Sequence, residues 1–240
     1  MSVTTGGSTR MLLEPDAAEL LASCGIPYVE HGVAGTADVA VEVAARIGYP
    51  VVLKVISGDV VHKTDAGGVV TGLKDEGAVR EGMAAMLDDV RAHCPGARID
   101  GALVARHVST SRELIVGAVH DATFGPTLMV GLGGVFAEAL ADVVFRLAPL
   151  RRQDGLDMLG ELRGARLLAA FRGEPPVDLD EVADVIVKVG DLLVSHPEIV
   201  EIDLNPVAAS AQGCVALDAR IIVTTTDGAQ STARWPTALA

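Results

Sequence analysis

Residues 62–70 contain a histidine, a lysine and two adjacent glycines, and they begin eight residues after Lys54, a second lysine that lies in a short apolar segment. Lysine ammonium groups and backbone N–H groups suit a polyphosphate, because they neutralise its charge and donate to its oxygens. The neutral imidazole of His62 is nucleophilic near neutral pH, so it can take and return a phosphoryl group. These residue types predict phosphate chemistry at Lys54, His62 and Lys63, on a loop that Gly58, Gly67 and Gly68 allow to swing.

Several common sites are excluded by spacing. A P-loop needs glycine six residues before its lysine and another immediately before it, whereas Ser57 and His62 hold those positions around Lys63. The six histidines lack zinc-site spacing, and no GxSxG motif is present for a serine hydrolase. The segment that begins at Gly131 resembles a dinucleotide fingerprint, but Phe136 stands where the third glycine belongs. A nucleotide at this loop therefore requires a different fold.

A second group of polar residues lies near the end of the chain. Glu201, Asp203 and Asn205 alternate along a predicted strand and therefore share one face. Asp218, on the next strand, can meet them across a hairpin. Such oxygen ligands suit Mg²⁺, a hard cation that keeps several of its waters. The alternative is a polar, solvated hairpin face.

Composition narrows the class of protein. The 240 residues are half apolar and carry a formal net charge of −13, which argues against a nucleic-acid or anionic-membrane partner. Three widely spaced cysteines predict reduced thiols in a cytoplasmic protein. The first ten residues do not resemble a signal peptide, and the longest apolar region is broken by glycines and carboxylates.

Hydrophobic periodicity and turn residues predict an α+β protein. Helices are expected over 14–24, 36–47, 76–93 and 156–171, with a further helix begun by Asp178. Strands are expected over 51–56, 69–73, 102–108, 113–119, 127–131, 199–204 and 214–225, with mixed structure over 135–145. A change of character near 105–112 suggests the boundary between two lobes.

The chain resembles the ATP-grasp domain of the NDP-forming acyl-CoA synthetases, of the ADP-forming acetyl-CoA synthetase type, and more distantly the succinyl-CoA synthetase β subunit. The resemblance covers residues 13–226. Six ordered segments carry it: 48–54, 62–70, 112–117, 124–134, 145–150, and 201–206 with 217–221. It implies one ATP-grasp domain, with lobes at about 13–105 and 106–226 clasping a nucleotide, and a loose tail at 227–240.

The same resemblance implies roles for particular residues. Lys54 would contact the nucleotide phosphates, and Glu113 would lie at the nucleotide. The strand 103–108 would be the hinge, with backbone groups near Val108 offered to the adenine. Asn205 and Asp218 would hold Mg²⁺.

The resemblance also implies a role for His62 and a reaction. His62 would relay a phosphoryl group between the nucleotide and a phosphohistidine on a partner α subunit. The reaction would be carboxylate + CoA + ATP ⇌ acyl-CoA + ADP + phosphate, in a hetero-oligomer with a CoA-binding α subunit. Two alternatives remain open: a regulatory subunit that binds a nucleotide without catalysis, and a stand-alone ATP-grasp ligase that joins a carboxylate to an amine.

Overall fold

The computed structural model describes residues 8–109, 112–134, 142–170 and 173–225. In chain order its strands are β1 (Ser8–Met11), β2 (His31–Ala34), β3 (Val51–Ile56), β4 (Val69–Leu73), β5 (Gly101–Arg106), β6 (Glu113–Asp121), β7 (Gly125–Leu132), β8 (Val143–Leu147), β9 (Ile199–Ser210), β10 (Gly213–Ala216) and β11 (Ala219–Thr225). Its α-helices are α1 (Glu14–Ser23), α2 (Ala37–Ile47), α3 (Glu76–His93), α4 (Arg152–Glu161) and α5 (Leu179–Ser195). This mixture of helices and antiparallel sheets is the predicted α+β class.

The described residues form two compact units. The smaller unit contains residues 13–16 and 29–109, and the larger unit contains 8–12, 17–28 and the chain from 112 onward. Most of α1 therefore belongs to the larger unit, although the sequence analysis assigned 13–105 to one lobe. The physical reason is packing, since Leu20, Leu21 and Ile26 are buried in the core of the larger unit.

The smaller unit is a four-stranded antiparallel sheet, ordered β2–β5–β3–β4, with α2 and α3 packed on it. The side chain of Thr36 caps α2 by accepting from the Val39 N–H at 3.3 Å, and Asp75 caps α3 through the Ala78 N–H at 2.8 Å. Burial of their apolar faces against β3 fixes this strand, which carries Lys54.

The larger unit contains a sheet ordered β1–β11–β9–β6–β7–β8, with β10 also paired to β9. Helix α5 begins after Asp178, as predicted, and buries an apolar stripe that includes Ile186 and Leu193. These side chains join Val116 and Leu128 in one core. One face of the sheet is thereby covered, and the opposite face carries the second predicted polar group.

Several predicted boundaries were wrong. The helix predicted over 156–171 is α4, which starts at Arg152 and ends at Glu161. Asp142 accepts from the Arg163 and Gly164 N–H groups at 2.9 and 2.8 Å, so these groups no longer continue the helix. A 3₁₀ turn follows at Ala165–Leu167, and Phe171 lies outside the described residues.

The strands also differ from the prediction in places. β2 was missed, and the predicted strand 102–108 ends at Arg106. The predicted strand 214–225 is interrupted at residues 217–218, which separates β10 from β11. The region 135–145 resolves at its end into β8, while residues 135–141 and the predicted tail 227–240 lie outside the described residues. Among the described helices, none is both long and apolar enough for a membrane span.

Candidate active site

Two lysines meet around one buried carboxylate in the smaller unit. The Lys54 Nζ lies 2.7 Å from the Glu14 Oε1, and the Lys63 ammonium pairs with the Glu14 Oε2. The Glu14 side chain is 1% exposed, and those of Lys54 and Lys63 are 9% and 15% exposed. Buried charges persist only when they are paired, so this cluster holds both ammonium groups in defined positions. Two ammonium groups are thereby gathered at one place in the smaller unit, as a polyphosphate requires.

The loop that carries His62 is tied to β3 by its backbone. The Gly68 N–H donates to the Lys63 carbonyl at 2.7 Å, and the Val55 N–H donates to the Gly68 carbonyl at 2.8 Å. The His62 carbonyl accepts from the Ala66 N–H at 3.2 Å. The His62 side chain itself is exposed. The fold therefore presents the imidazole to solvent beside a lysine whose ammonium group is buried.

Gly67 and Gly68 have a structural role in this loop that was not predicted from the sequence. Gly67 has a φ of +70°, which favours glycine, and a Cβ on Gly68 would lie 2.5 Å from the Val55 Cγ1. Both glycines are therefore needed for the tight turn against β3, and they are not evidence of a swinging loop. Gly58 differs, because a Cβ there would meet only Leu13, at 4.0 Å.

The predicted polar face of β9 is confirmed in the larger unit. Ile202 and Leu204 are buried in the core, whereas Glu201, Asp203 and Asn205 line the opposite face. Asp218 lies across from this strand, since the Asn205 N–H donates to the Asp218 carbonyl at 3.3 Å. The two predicted metal ligands are thus neighbours, although Asp218 lies between β10 and β11 and not on a strand as predicted.

Three carboxylates, Glu201, Asp203 and Asp218, influence one another on this face, and Arg220 pairs with Glu201. Burial raises the pKa of Asp203, the negative charges of Glu201 and Asp218 raise it further, and Arg220 opposes them. No group of three His, Cys, Asp or Glu side chains that could hold a metal is found among the described residues. Mg²⁺ does not require one, because it binds through one or two carboxylates and keeps several waters. The amide oxygen of Asn205 and the carboxylate of Asp218 fit that pattern.

The open face of the sheet is acidic on one side and apolar on the other. Strand register aligns Arg220, Asp203, Gly117, Met129 and Phe145 in one row across β11, β9, β6, β7 and β8. All of these except Arg220 line a groove of about 340 Å³. The absence of a side chain at Gly117 leaves space in the centre of this row.

Glu113 belongs to the larger unit and Val108 to the smaller one. Glu113 begins β6, and its carbonyl accepts from the Gly133 N–H at 2.6 Å. A Cβ on Gly133 would lie 2.9 Å from the Glu113 Cβ, so glycine is needed for this approach. Val108 lies in the smaller unit, two residues beyond the end of β5, so the strand predicted as the hinge is shorter than expected.

The candidate residues therefore form two groups. Lys54, His62 and Lys63 are brought together in the smaller unit, and Asn205 and Asp218 in the larger one. The sequence analysis missed Glu14. Its signal was weak, because a carboxylate in the first turn of a helix is common and is stabilised by the helix dipole. Only the structure shows that this side chain is buried against two lysines.

Comparisons with known proteins give the family. A family model described as ATP-grasp domain matches residues 4–223. The chain is 44% identical over 214 residues to the acetate–CoA ligase (ADP-forming) I subunit beta of Pyrococcus furiosus, covering 89% of this chain and 92% of that one. It is 43% identical to the acetate–CoA ligase (ADP-forming) I of Archaeoglobus fulgidus, but spans only 30% of that longer protein.

Solved structures agree with these relatives. The dinucleotide forming acetyl-coenzyme A synthetase 1 of Ca. Korarchaeum cryptofilum, in complex with coenzyme A, Ca-AMPCP and HgCl+, matches with a TM-score of 0.87 and 43% identity. The match covers 89% of this chain and 93% of that one. In a complex of the same enzyme with coenzyme A and Mg-AMPPCP, a phosphohistidine segment is described as pointing towards the nucleotide binding site. Together with the two groups of site residues, these matches show that the chain belongs to the ATP-grasp family, among the β subunits of ADP-forming acetate–CoA ligases.

Proposed function

We propose that this chain is the nucleotide-binding β subunit of an ADP-forming acyl-CoA synthetase, which with an α subunit catalyses carboxylate + CoA + ATP ⇌ acyl-CoA + ADP + phosphate. One observation supports the assignment above the others. The exposed His62 directly precedes Lys63, whose ammonium group shares the buried Glu14 with that of Lys54. A nucleophile and two fixed cations on neighbouring segments are the parts that phosphoryl transfer needs.

The lysines bind and orient the nucleotide phosphates. Phosphoryl transfer depends on positioning and charge neutralisation more than on covalent chemistry by the protein. Lys54 and Lys63 donate charge-assisted hydrogen bonds to phosphate oxygens. Because both side chains are already restricted by pairing with Glu14, they lose less conformational entropy when phosphate binds. Glu113 and the backbone near Val108 are further candidates for contact with the nucleotide.

His62 carries the phosphoryl group. A neutral ring nitrogen attacks the γ-phosphorus of ATP, so that an N–P bond forms while the P–O bond to ADP breaks. The phosphoryl group then passes from His62 to the histidine of the α subunit, which regenerates neutral His62. The first transfer moves the phosphoryl group from oxygen to nitrogen, and the second moves it from nitrogen to nitrogen. Neither step involves oxidation or reduction.

Asn205 and Asp218 would hold Mg²⁺. When bound, the ion would neutralise negative charge on the nucleotide phosphates and help to orient them. Asn205 lies on β9 and is joined to Asp218 by a backbone hydrogen bond, and the half-buried Asp203 is a further carboxylate on the same strand as Asn205.

The proposed reaction also needs an acyl site and a CoA site, which we assign to a partner. The ATP-grasp family model accounts for residues 4–223, and the chain spans 30% of the longer acetate–CoA ligase (ADP-forming) I of Archaeoglobus fulgidus. We infer that the acyl and CoA sites lie on an α subunit in a hetero-oligomer. The carboxylate that is used is then selected by that subunit.

The test is the variant His62→Asn, mixed with the α subunit. Asparagine can hydrogen-bond a phosphate but cannot form a phosphoramidate, so turnover should fall by several orders of magnitude while ADP binding remains. Radiolabel on the γ-phosphate of ATP should mark the wild-type chain with an acid-labile, base-stable phosphate that the variant lacks. The control His93→Asn, an exposed histidine at the end of α3, should behave as wild type.

The outcomes separate the alternatives. Near-native turnover in His62→Asn would show that His62 only binds the nucleotide. ADP binding without any acyl-CoA formation by the wild-type complex would indicate a regulatory subunit. Activity with an amine substrate and no α subunit would indicate a stand-alone ligase.

A further inference from the structure

The mechanism above assigns no role to Glu14, although this residue contacts both lysines of the site. We propose that Glu14 is a positioning residue for phosphoryl transfer: it fixes the ammonium groups of Lys54 and Lys63, and through Lys63 it fixes the His62 loop. This inference rests on the proposed function and adds a residue from a distant part of the sequence, since Glu14 precedes Lys54 by 40 positions and Lys63 by 49.

Burial shows that Glu14 is not an ordinary surface partner. Its side chain is 1% exposed, whereas Glu19, on the same helix, is exposed. Removing a carboxylate from water is unfavourable unless ionic partners replace the lost hydration. Both carboxylate oxygens of Glu14 have such a partner, and its position in the first turn of α1 adds the favourable end of a helix dipole. The carboxylate of Glu14 is therefore buried at a position where two ammonium groups stabilise its charge.

Glu14 also makes the closeness of the two lysines possible. Two ammonium groups within reach of the same carboxylate repel one another, and the repulsion is weakly screened because both side chains are largely buried. One intervening negative charge converts that repulsion into two attractions. Glu14 therefore holds both cations at the positions that the proposed function assigns to phosphate binding.

Pairing with Lys63 fixes one side of the His62 loop. From Lys63 onward the chain is held by the Gly68 N–H bond to the Lys63 carbonyl and by the Val55 N–H bond to Gly68. Glu14 adds a side-chain anchor at the same residue. The exposed imidazole of His62 is thus attached directly to an anchored residue, and its reach is set by the segment on its other side.

The experiment compares Glu14→Gln, Lys63→Gln and the double variant in the complex with the α subunit. Glutamine keeps the shape of Glu14 but removes the charge. Because the cations remain, KM for ATP should change by less than about 3-fold, while kcat should fall by about 10- to 100-fold. If Glu14 acts through Lys63, kcat of the double variant should lie within about 3-fold of kcat of the slower single variant. The reason is that residues with a shared partner have non-additive effects. The control Glu19→Gln should keep kcat and KM within about 2-fold.

Calorimetric titration with ADP separates positioning from loss of folded protein. Binding of one ADP per chain by Glu14→Gln shows that the site is formed, so a low kcat then reports misplaced groups. If Glu14→Gln does not fold, Glu14→Asp serves instead, because it keeps the charge but draws the carboxylate back by one methylene from the two lysines. A kcat within about 2-fold of wild type in the tested variant, or effects of Glu14 and Lys63 that multiply in the double variant, would overturn the inference. Inactivity of the wild-type complex would instead refute the proposed function.

Discussion

Replacing Lys54 by alanine should weaken nucleotide binding strongly. A hydrogen bond to a charged group contributes about 1.5–3 kcal/mol, which corresponds to roughly 10- to 150-fold in Kd. We expect the upper half of this range for two reasons. The Lys54 side chain is only 9% exposed, so solvent screens its charge little. In addition, the substitution removes one of the two ammonium groups that are gathered around Glu14.

The assay is calorimetric titration of ADP in the presence of Mg²⁺. Removing one partner of a buried pair can cost about 3–5 kcal/mol of folding stability, although Lys63 remains as a partner of Glu14 and should reduce this loss. Urea unfolding should therefore establish that Lys54→Ala is folded under the assay conditions. The matched control is Lys74→Ala, an exposed lysine just after β4, which should bind ADP as wild type does. Affinity within 2-fold of wild type in folded Lys54→Ala would refute the assignment of this lysine to the phosphates.

Three further changes test the larger unit. Asp218→Asn should weaken Mg²⁺-dependent ADP binding more than metal-free binding, because it removes a formal charge from a hard-cation site; equal effects would make Asp218 structural. Burial raises the pKa of Cys214 from 9.0 to about 12, so at pH 8 iodoacetamide should label its peptide roughly 10³-fold more slowly than an unperturbed thiol, as followed by mass spectrometry. Leu128→Ala, in the core, should lower the free energy of unfolding by about 2–5 kcal/mol, as measured by urea unfolding. Phe145→Ser, on the open face, should change it by less than about 1 kcal/mol. A similar loss for the two variants would show that the open face is packed.

Elements with a strong local pattern were predicted well. Helix α5 follows from its apolar stripe and from Asp178 at its start, and β3 follows from a short apolar run bounded by turn residues. The shared face of Asp203 and Asn205 follows from strand alternation alone. In each case, residues that are close in sequence carry the information.

What the sequence did not show depends on contacts between distant residues. The pairing of Glu14 with Lys63 joins the start of a helix to a loop, and no local pattern distinguishes this glutamate from an exposed one such as Glu19. The end of α4 is set by Asp142, some twenty residues away in sequence from the N–H groups that it binds. Gly68 was assigned to flexibility because its close approach to Val55 can be seen only in three dimensions.

The first and last described strands lie side by side, and this has a consequence for how the domain can be connected. Ser8 is opposite Thr225 in the pairing of β1 with β11, and the Thr225 hydroxyl donates to the Ser8 carbonyl at 2.8 Å. A short flexible linker can therefore join Ser8 to Thr225, and new termini can be opened in an exposed turn such as 122–124, without a change in the order of strands in either sheet. For the same reason the domain can be inserted into a loop of another protein, since it enters and leaves the sheet at one place.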